Sequence, residues 1–134
     1  MVIHITSGAA RIPAQDLERA RQWYADKLGL DPVEERPGGL RYLAGGNEFV
    51  VYQSMGKSDG SFTQFGFTVA DIEDAVATLR QRGVKMEEYD GGPFATKNGI
   101  ADIDGQYPSK GKGERACWFH DSEGNLIGMG QIVK

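Results

Sequence analysis

The chain has 134 residues, 40% of them hydrophobic, and 15 basic against 19 acidic side chains for a net charge of −4. That length suits one compact domain with a core of its own, and the acidic balance excludes a nucleic-acid backbone or an anionic membrane as the expected partner. A single cysteine, Cys117, leaves no intrachain disulfide and no cysteine-rich zinc site.

The first residues, MVIHITSGAA, have neither a basic start nor a long apolar run, and no stretch approaches the ~18 apolar residues of a membrane span. A soluble cytoplasmic protein is expected. After the extended segment GAARIP, residues 16–28 carry Leu17, Ala20, Trp23, Tyr24 and Leu28 on one helical face, with Asp16 placed as N-cap and Gly29 as stop. Strand-like runs follow, the last being EFVVYQ after Gly46-Asn47, a hairpin signal. A polar linker, 55–61, leads to a second extended segment, TQFGFTV. Then a second helix, 71–82, has Ile72, Ala75, Val76 and Leu79 on one face, Asp71 at its start and Gly83 at its end.

The two helices match position for position: Leu17, Glu18 and Ala20 correspond to Ile72, Glu73 and Ala75. Gly124-Asn125 before LIGMGQ repeats Gly46-Asn47 before EFVVYQ. One strand–helix–strand–strand–strand unit is therefore used twice within a single domain, 1–134: module 1 over about 1–54 and module 2 over about 62–134. The second copy differs by the glycine-rich stretch 91–114, whose length predicts a lid, a binding loop or disorder.

Three segments, DLERARQWYADKLGL, FTVADIEDAVATLRQRGV and WFHDSEGNLIGM in that order, resemble the vicinal-oxygen-chelate superfamily of glyoxalase I, extradiol dioxygenases and bleomycin-resistance proteins. The resemblance implies an α+β fold of two tandem βαβββ modules, their sheets curved into half-barrels with the helices on the convex face. It implies a homodimer as well, with half-barrels pairing within or between chains. Metal-dependent members of the superfamily place one ligand on each of four strands. By register with the helix starts and the final motif, those positions here are Ala9, Val50, Gln64 and Gly128. Three of them have no donor atom, and no cofactor is expected.

Strand alternation puts Ala10 and Ile12 on one face, with Ala9 and Arg11 on the other. It puts Phe65, Phe67 and Val69 against the helices, leaving Gln64, Gly66 and Thr68 opposite. Arg11 is either a fork for a ligand carboxylate or one half of an internal salt bridge with an acid such as Glu48. Tyr52, Gln64 and Thr68 are able to bond a ligand or to close a polar network through water. Trp118 and His120 are the expected cavity pair, because Cys117 and Phe119 suit a core. His120 is a candidate general base, with a structural role as the alternative. Tyr107 in the glycine-rich stretch is a further ligand candidate. Asp102, Asp104 and Gly105 lack the remaining spacing of a calcium loop and predict a turn. Lys110, Lys112 and Arg115 form no P-loop and predict solvated charges. Cys117 predicts a buried, inert thiol.

These readings converge on a protein that binds a small organic molecule in a metal-free cavity and sequesters an antibiotic or a metabolite. The alternative is a lyase, isomerase or dioxygenase acting through His120 and Arg11 or through a metal site elsewhere.

Overall fold

In the computed structural model, residues 1–105 and 111–134 are described. Module 1 contains β1 (Ala10–Ala14), α1 (Leu17–Leu28), β2 (Glu34–Arg36), β3 (Gly39–Ala44) and β4 (Asn47–Gln53). Module 2 contains β5 (Thr63–Thr68), α2 (Ile72–Gln81), β6 (Thr96–Lys97), β7 (Ile100–Asp104), β8 (Gly113–His120) and β9 (Leu126–Val133). Each module forms one open sheet, in the orders β1-β4-β3-β2 and β5-β9-β8-β7-β6. In both sheets the first strand lies parallel to the last, and the hairpin partners are antiparallel. The duplication visible in the sequence is thus a duplication of topology.

The helices begin and end as their residues dictate. Asp16 and Asp71 have extended backbones, and their carboxylates accept from the amides of Arg19 and Asp74, satisfying donors that the first turn leaves open. Gly29 then turns the chain out of α1 at φ 69, a left-handed conformation costly for any residue with a Cβ.

Both helices lie on the same side of the sheets and share one core. Ala20 and Tyr24 of α1 and Ile72, Val76 and Leu79 of α2 pack with Ile12, Tyr42, Phe49 and Val51 of sheet 1 and Cys117, Phe119 and Ile127 of sheet 2. Aromatic rings bridge the modules: Phe49 of β4 meets Phe65 and Phe67 of β5 at 4.9 and 5.7 Å. Such pairs contribute about 0.5–1.5 kcal/mol beyond their buried area.

A polar clamp reinforces that seam. The turn between β8 and β9 buries Asp121, Glu123 and Asn125 against the start of α1. Glu123 accepts from the backbone amides of Gln15 and Asp16 and from the Arg19 guanidinium through two bonds of 2.8 and 2.9 Å. Asp121 accepts from the Tyr24 hydroxyl at 2.7 Å, and the Asn125 amide donates to the Pro13 carbonyl. Burial alone would raise the Glu123 pKa, but the bonds from Arg19, Asp16, Ser122 and Gln15 outweigh it and bring the pKa down to about 2.

Two expectations need correction. The stretch 91–114 is not simply a loop, because it contains β6 and β7, joined through Asn98-Gly99 with both residues at positive φ. Asn-Gly favours that hairpin turn, and the alternating Ala101 and Ile103 pack against Ala116 of β8, so the strand is stabilised by its neighbour. The second correction concerns β5. Its pairing with β9 shifts between Thr63 and Phe65, so simple alternation fails at Gln64. Thr63 takes the place beside Gly128, and the Gln64 amide donates instead to the Arg11 carbonyl.

Candidate ligand-binding site

The face of sheet 2 away from the helices follows from the register of β8. Cys117 and Phe119 are fully buried in the core, and Arg115 on the same face pairs with Asp102 and with Glu73 of α2. Glu114, Ala116, Trp118 and His120 therefore occupy the other face. Across from them in β9 lie Gly128, opposite Trp118, and Gly130, opposite Ala116; Gly66 of β5 continues the row beside Gly128. With no side chains at Gly66 and Gly128, and with Gly130 making room for the Glu114 side chain, the sheet holds a cleft of about 360 Å³ lined by Thr63, Ile103, Glu114, Trp118 and Met129.

Trp118 also borders a second hollow of about 310 Å³, formed with Phe62, Tyr89, Phe94 and Leu126. Tyr89 and Phe94 meet Trp118 edge to face at 5.4 and 6.2 Å. Thr63 and Trp118 line both hollows, so they form one elongated depression with an aromatic end and a carboxylate end. Its size falls in the ordinary range for small organic ligands, roughly 300–1,000 Å³.

At the carboxylate end, the Glu114 side chain lies over Gly130, where a Cβ would overlap it. Burial raises its pKa above the usual carboxylate value. Burial likewise raises the Tyr89 hydroxyl, helped by the charge of Glu87.

The residues singled out from the sequence do not assemble into one site. Trp118 lies at the centre of the depression. His120 is on the same face, but both ring nitrogens are taken: Nδ1 lies 2.8 Å from a Glu87 carboxylate oxygen and Nε2 lies 3.1 Å from the Gly60 carbonyl. It ties the inter-module linker to the segment after α2. Arg11 and Tyr52 are on sheet 1. The register sets Val50, not Glu48, opposite Arg11, and Glu48 pairs with Arg41 at 3.5 Å. The Arg11–Glu48 bridge is therefore not formed, and Arg11 has no ion pair among the described residues. Thr68 borders a different, larger groove of about 570 Å³ between the end of α1 and β5, with Leu28, Leu30, Phe65 and Phe67. Tyr107 and Lys110 lie outside the described residues.

Sequence reasoning missed Glu114, although its signal was available. Residues i, i+2 and i+4 share a strand face, so an inward Trp118 implies an inward Glu114. It also missed Tyr89, Phe94 and Phe62, whose approach to Trp118 depends on the path of the chain after α2 and through the linker.

A βαβββ module beside a second one that carries the extra edge strand β6 defines the class of this protein as a paired-module α+β fold. The chain belongs to the Glyoxalase/Bleomycin resistance protein/Dioxygenase superfamily, whose family model matches residues 2–128. Among solved structures, one from the mobile metagenome of V. Pseudocholerae is similar at 19% identity and TM-score 0.69, with 100% of both chains covered. A glyoxalase/bleomycin resistance protein/dioxygenase from Alicyclobacillus acidocaldarius is similar at 19% identity and TM-score 0.65, covering 92% of this chain and 89% of that one. TnmS3, an antibiotic binding protein from Streptomyces sp. CB03234, is similar at 24% identity and TM-score 0.64, covering 97% and 100%. At these identities the likeness speaks for the fold. No curated protein matches the chain.

The metal positions of metal-dependent relatives can now be tested in place. Of Ala9, Val50, Gln64 and Gly128, Gln64 alone has a side-chain donor group, and its amide is turned to the Arg11 carbonyl. This donor set does not fit a transition-metal centre. Among the described residues, no three His, Cys, Asp or Glu side chains come together as a metal site. No helix among them is long and apolar enough to cross a membrane.

Proposed function

We propose that the protein binds a small organic molecule in the depression centred on Trp118 and sequesters it, an antibiotic or a metabolite being the class of cargo. One observation carries this reading. Gly66, Gly128 and Gly130 remove side chains from adjacent strands where a wall of Trp118, Tyr89 and Phe94 stands ready to cover an apolar ligand. Sites of this kind gain affinity from apolar burial and orientation from a few polar groups. The description of one structural neighbour as an antibiotic binding protein is in keeping with it.

The catalytic alternative has weaker support. His120 would have to leave both Glu87 and Gly60 before acting as a base, and Arg11 lies on the other sheet. We also propose that the chain forms a homodimer. Residues 1–9 are exposed, with Val2, Ile3 and Ile5 among them, beside the apolar groove at Gly8 and Ala9. A measurement of mass in solution giving a clean monomer would refute the dimer.

The binding reading is tested by the denaturation midpoint of the protein against a panel of aromatic natural products. A ligand of the native state raises the midpoint, and raises it logarithmically further as its concentration climbs above Kd. A dose-dependent rise supports the reading, and no rise with any compound at its solubility limit counts against it.

A further inference from the structure

We infer that the ligand of this depression is a cation with an aromatic body: a protonated amine set against Glu114 and a ring system against Trp118, Tyr89 and Phe94. The inference rests on the reading of the depression as a ligand site and adds the chemistry of its occupant. Glu114 is half-buried in the cleft, and among the described residues its carboxylate has no hydrogen bond and no ion pair. The basic neighbour on its own strand, Arg115, faces the helices and is held by Asp102 and Glu73. Ile103, directly across from Glu114 on β7, offers no donor. A carboxylate withdrawn from water without a partner is costly, and an arriving cation removes that cost. Burial raises the Glu114 pKa, in keeping with a carboxylate partly withdrawn from water.

The aromatic end asks for something different. Phe62, Tyr89 and Phe94 are partly exposed and clustered around Trp118, an arrangement that a flat apolar body would cover. Glu114 and Trp118 are four residues apart on one strand face, a separation of about 13 Å at ~3.3 Å per residue before the side chains close the gap. The ligand is therefore elongated, with charge and ring at opposite ends.

The test uses the amine, the alcohol and the carboxylate of one biphenylbutyl frame, titrated calorimetrically into the wild-type protein, Glu114→Gln and Trp118→Leu. The amine is expected to bind wild type about tenfold more tightly than the alcohol, the scale of one charge-assisted contact. In Glu114→Gln that preference disappears while the alcohol binds as before. In Trp118→Leu both weaken. If the alcohol or carboxylate binds wild type as well as the amine, or Glu114→Gln keeps the preference, the cation assignment is overturned and the binding reading survives. If none of the three binds wild type while the panel of natural products does, the cation assignment is likewise overturned. If neither the three probes nor the panel binds, both fall. Cooperative unfolding of the two variants with denaturation midpoints close to that of wild type shows that they are folded.

Discussion

Glu123→Gln removes one charge from the clamp between the modules and leaves the side chain nearly the same size. The native carboxylate is fully buried and accepts from Arg19, Ser122 and the amides of Gln15 and Asp16. In the variant, one amide oxygen still accepts from the backbone, but the new NH₂ group confronts the Arg19 guanidinium, donor against donor. The fall of the Glu123 pKa from 4.5 to about 2 corresponds to about 3 kcal/mol of stability held by the ionised form. A depressed carboxylate contributes fully above its unfolded pKa and loses its contribution as pH falls toward its folded one. Wild type is therefore expected to exceed Glu123→Gln by about 2–3 kcal/mol at neutral pH. The gap should narrow as pH drops from about 4.5 toward about 2. Urea unfolding at a series of pH values measures the difference directly, other carboxylates being common to both proteins. A gap below about 0.5 kcal/mol at neutral pH, the scale of an ordinary surface change, would refute the clamp. So would a gap that does not respond to acid. Arg19 is half-exposed in the same pair, so Arg19→Met should cost less than Glu123→Gln.

Two buried tyrosines should respond oppositely to loss of the hydroxyl. Tyr24→Phe breaks the bond to Asp121 and should cost about 1–2 kcal/mol in urea unfolding; Tyr42→Phe, whose hydroxyl has no partner among the described residues, should be neutral or stabilising. Cys117 is fully buried, and burial pushes its thiol up to about 12 despite the opposing charge of Arg80. A thiol reagent at mildly alkaline pH should then label it only as fast as the protein unfolds, and rapid labelling of native protein would contradict its burial. At Gly128 a Cβ would lie 3.4 Å from Thr63 and Trp118, already at the edge of ordinary contact, so Gly128→Val, whose γ-carbons reach further, should fold at a cost of about 1–3 kcal/mol while blocking the cleft. Its affinity for any cleft ligand should fall more than tenfold, about 1.4 kcal/mol or more, in calorimetric titration.

Much of the fold was legible because its signals are local. Asp16, Gly29 and Asp71 bound their helices through contacts within a few residues, and the apolar stripes of both helices face the core as their periodicity requires. The hairpin of β6 and β7 was concealed by its glycines, although Asn98-Gly99 is itself a turn signal and Ala101 and Ile103 alternate. The bulge at Gln64 has no local mark, because it depends on how β5 settles against β9. The clamp was equally hidden: Glu123 and Arg19 are 104 positions apart, and a polar turn does not announce its partner. Within the candidate site, the orientation of Trp118 followed from alternation; the same rule places Glu114 on that face, but it was not singled out. Tyr89 and Phe94 come from a segment without regular structure, whose path periodicity does not determine.

The depression centred on Trp118 is tested most directly by that residue's own fluorescence. The chain has two tryptophans, so Trp23→Phe leaves Trp118 as the sole reporter. Titration with the biphenylbutyl amine should change its emission saturably, and the change should vanish when Gly128→Val is added. Emission that stays constant up to the solubility limit, or that changes equally with Gly128→Val, would contradict a ligand seated over Gly128 against Trp118.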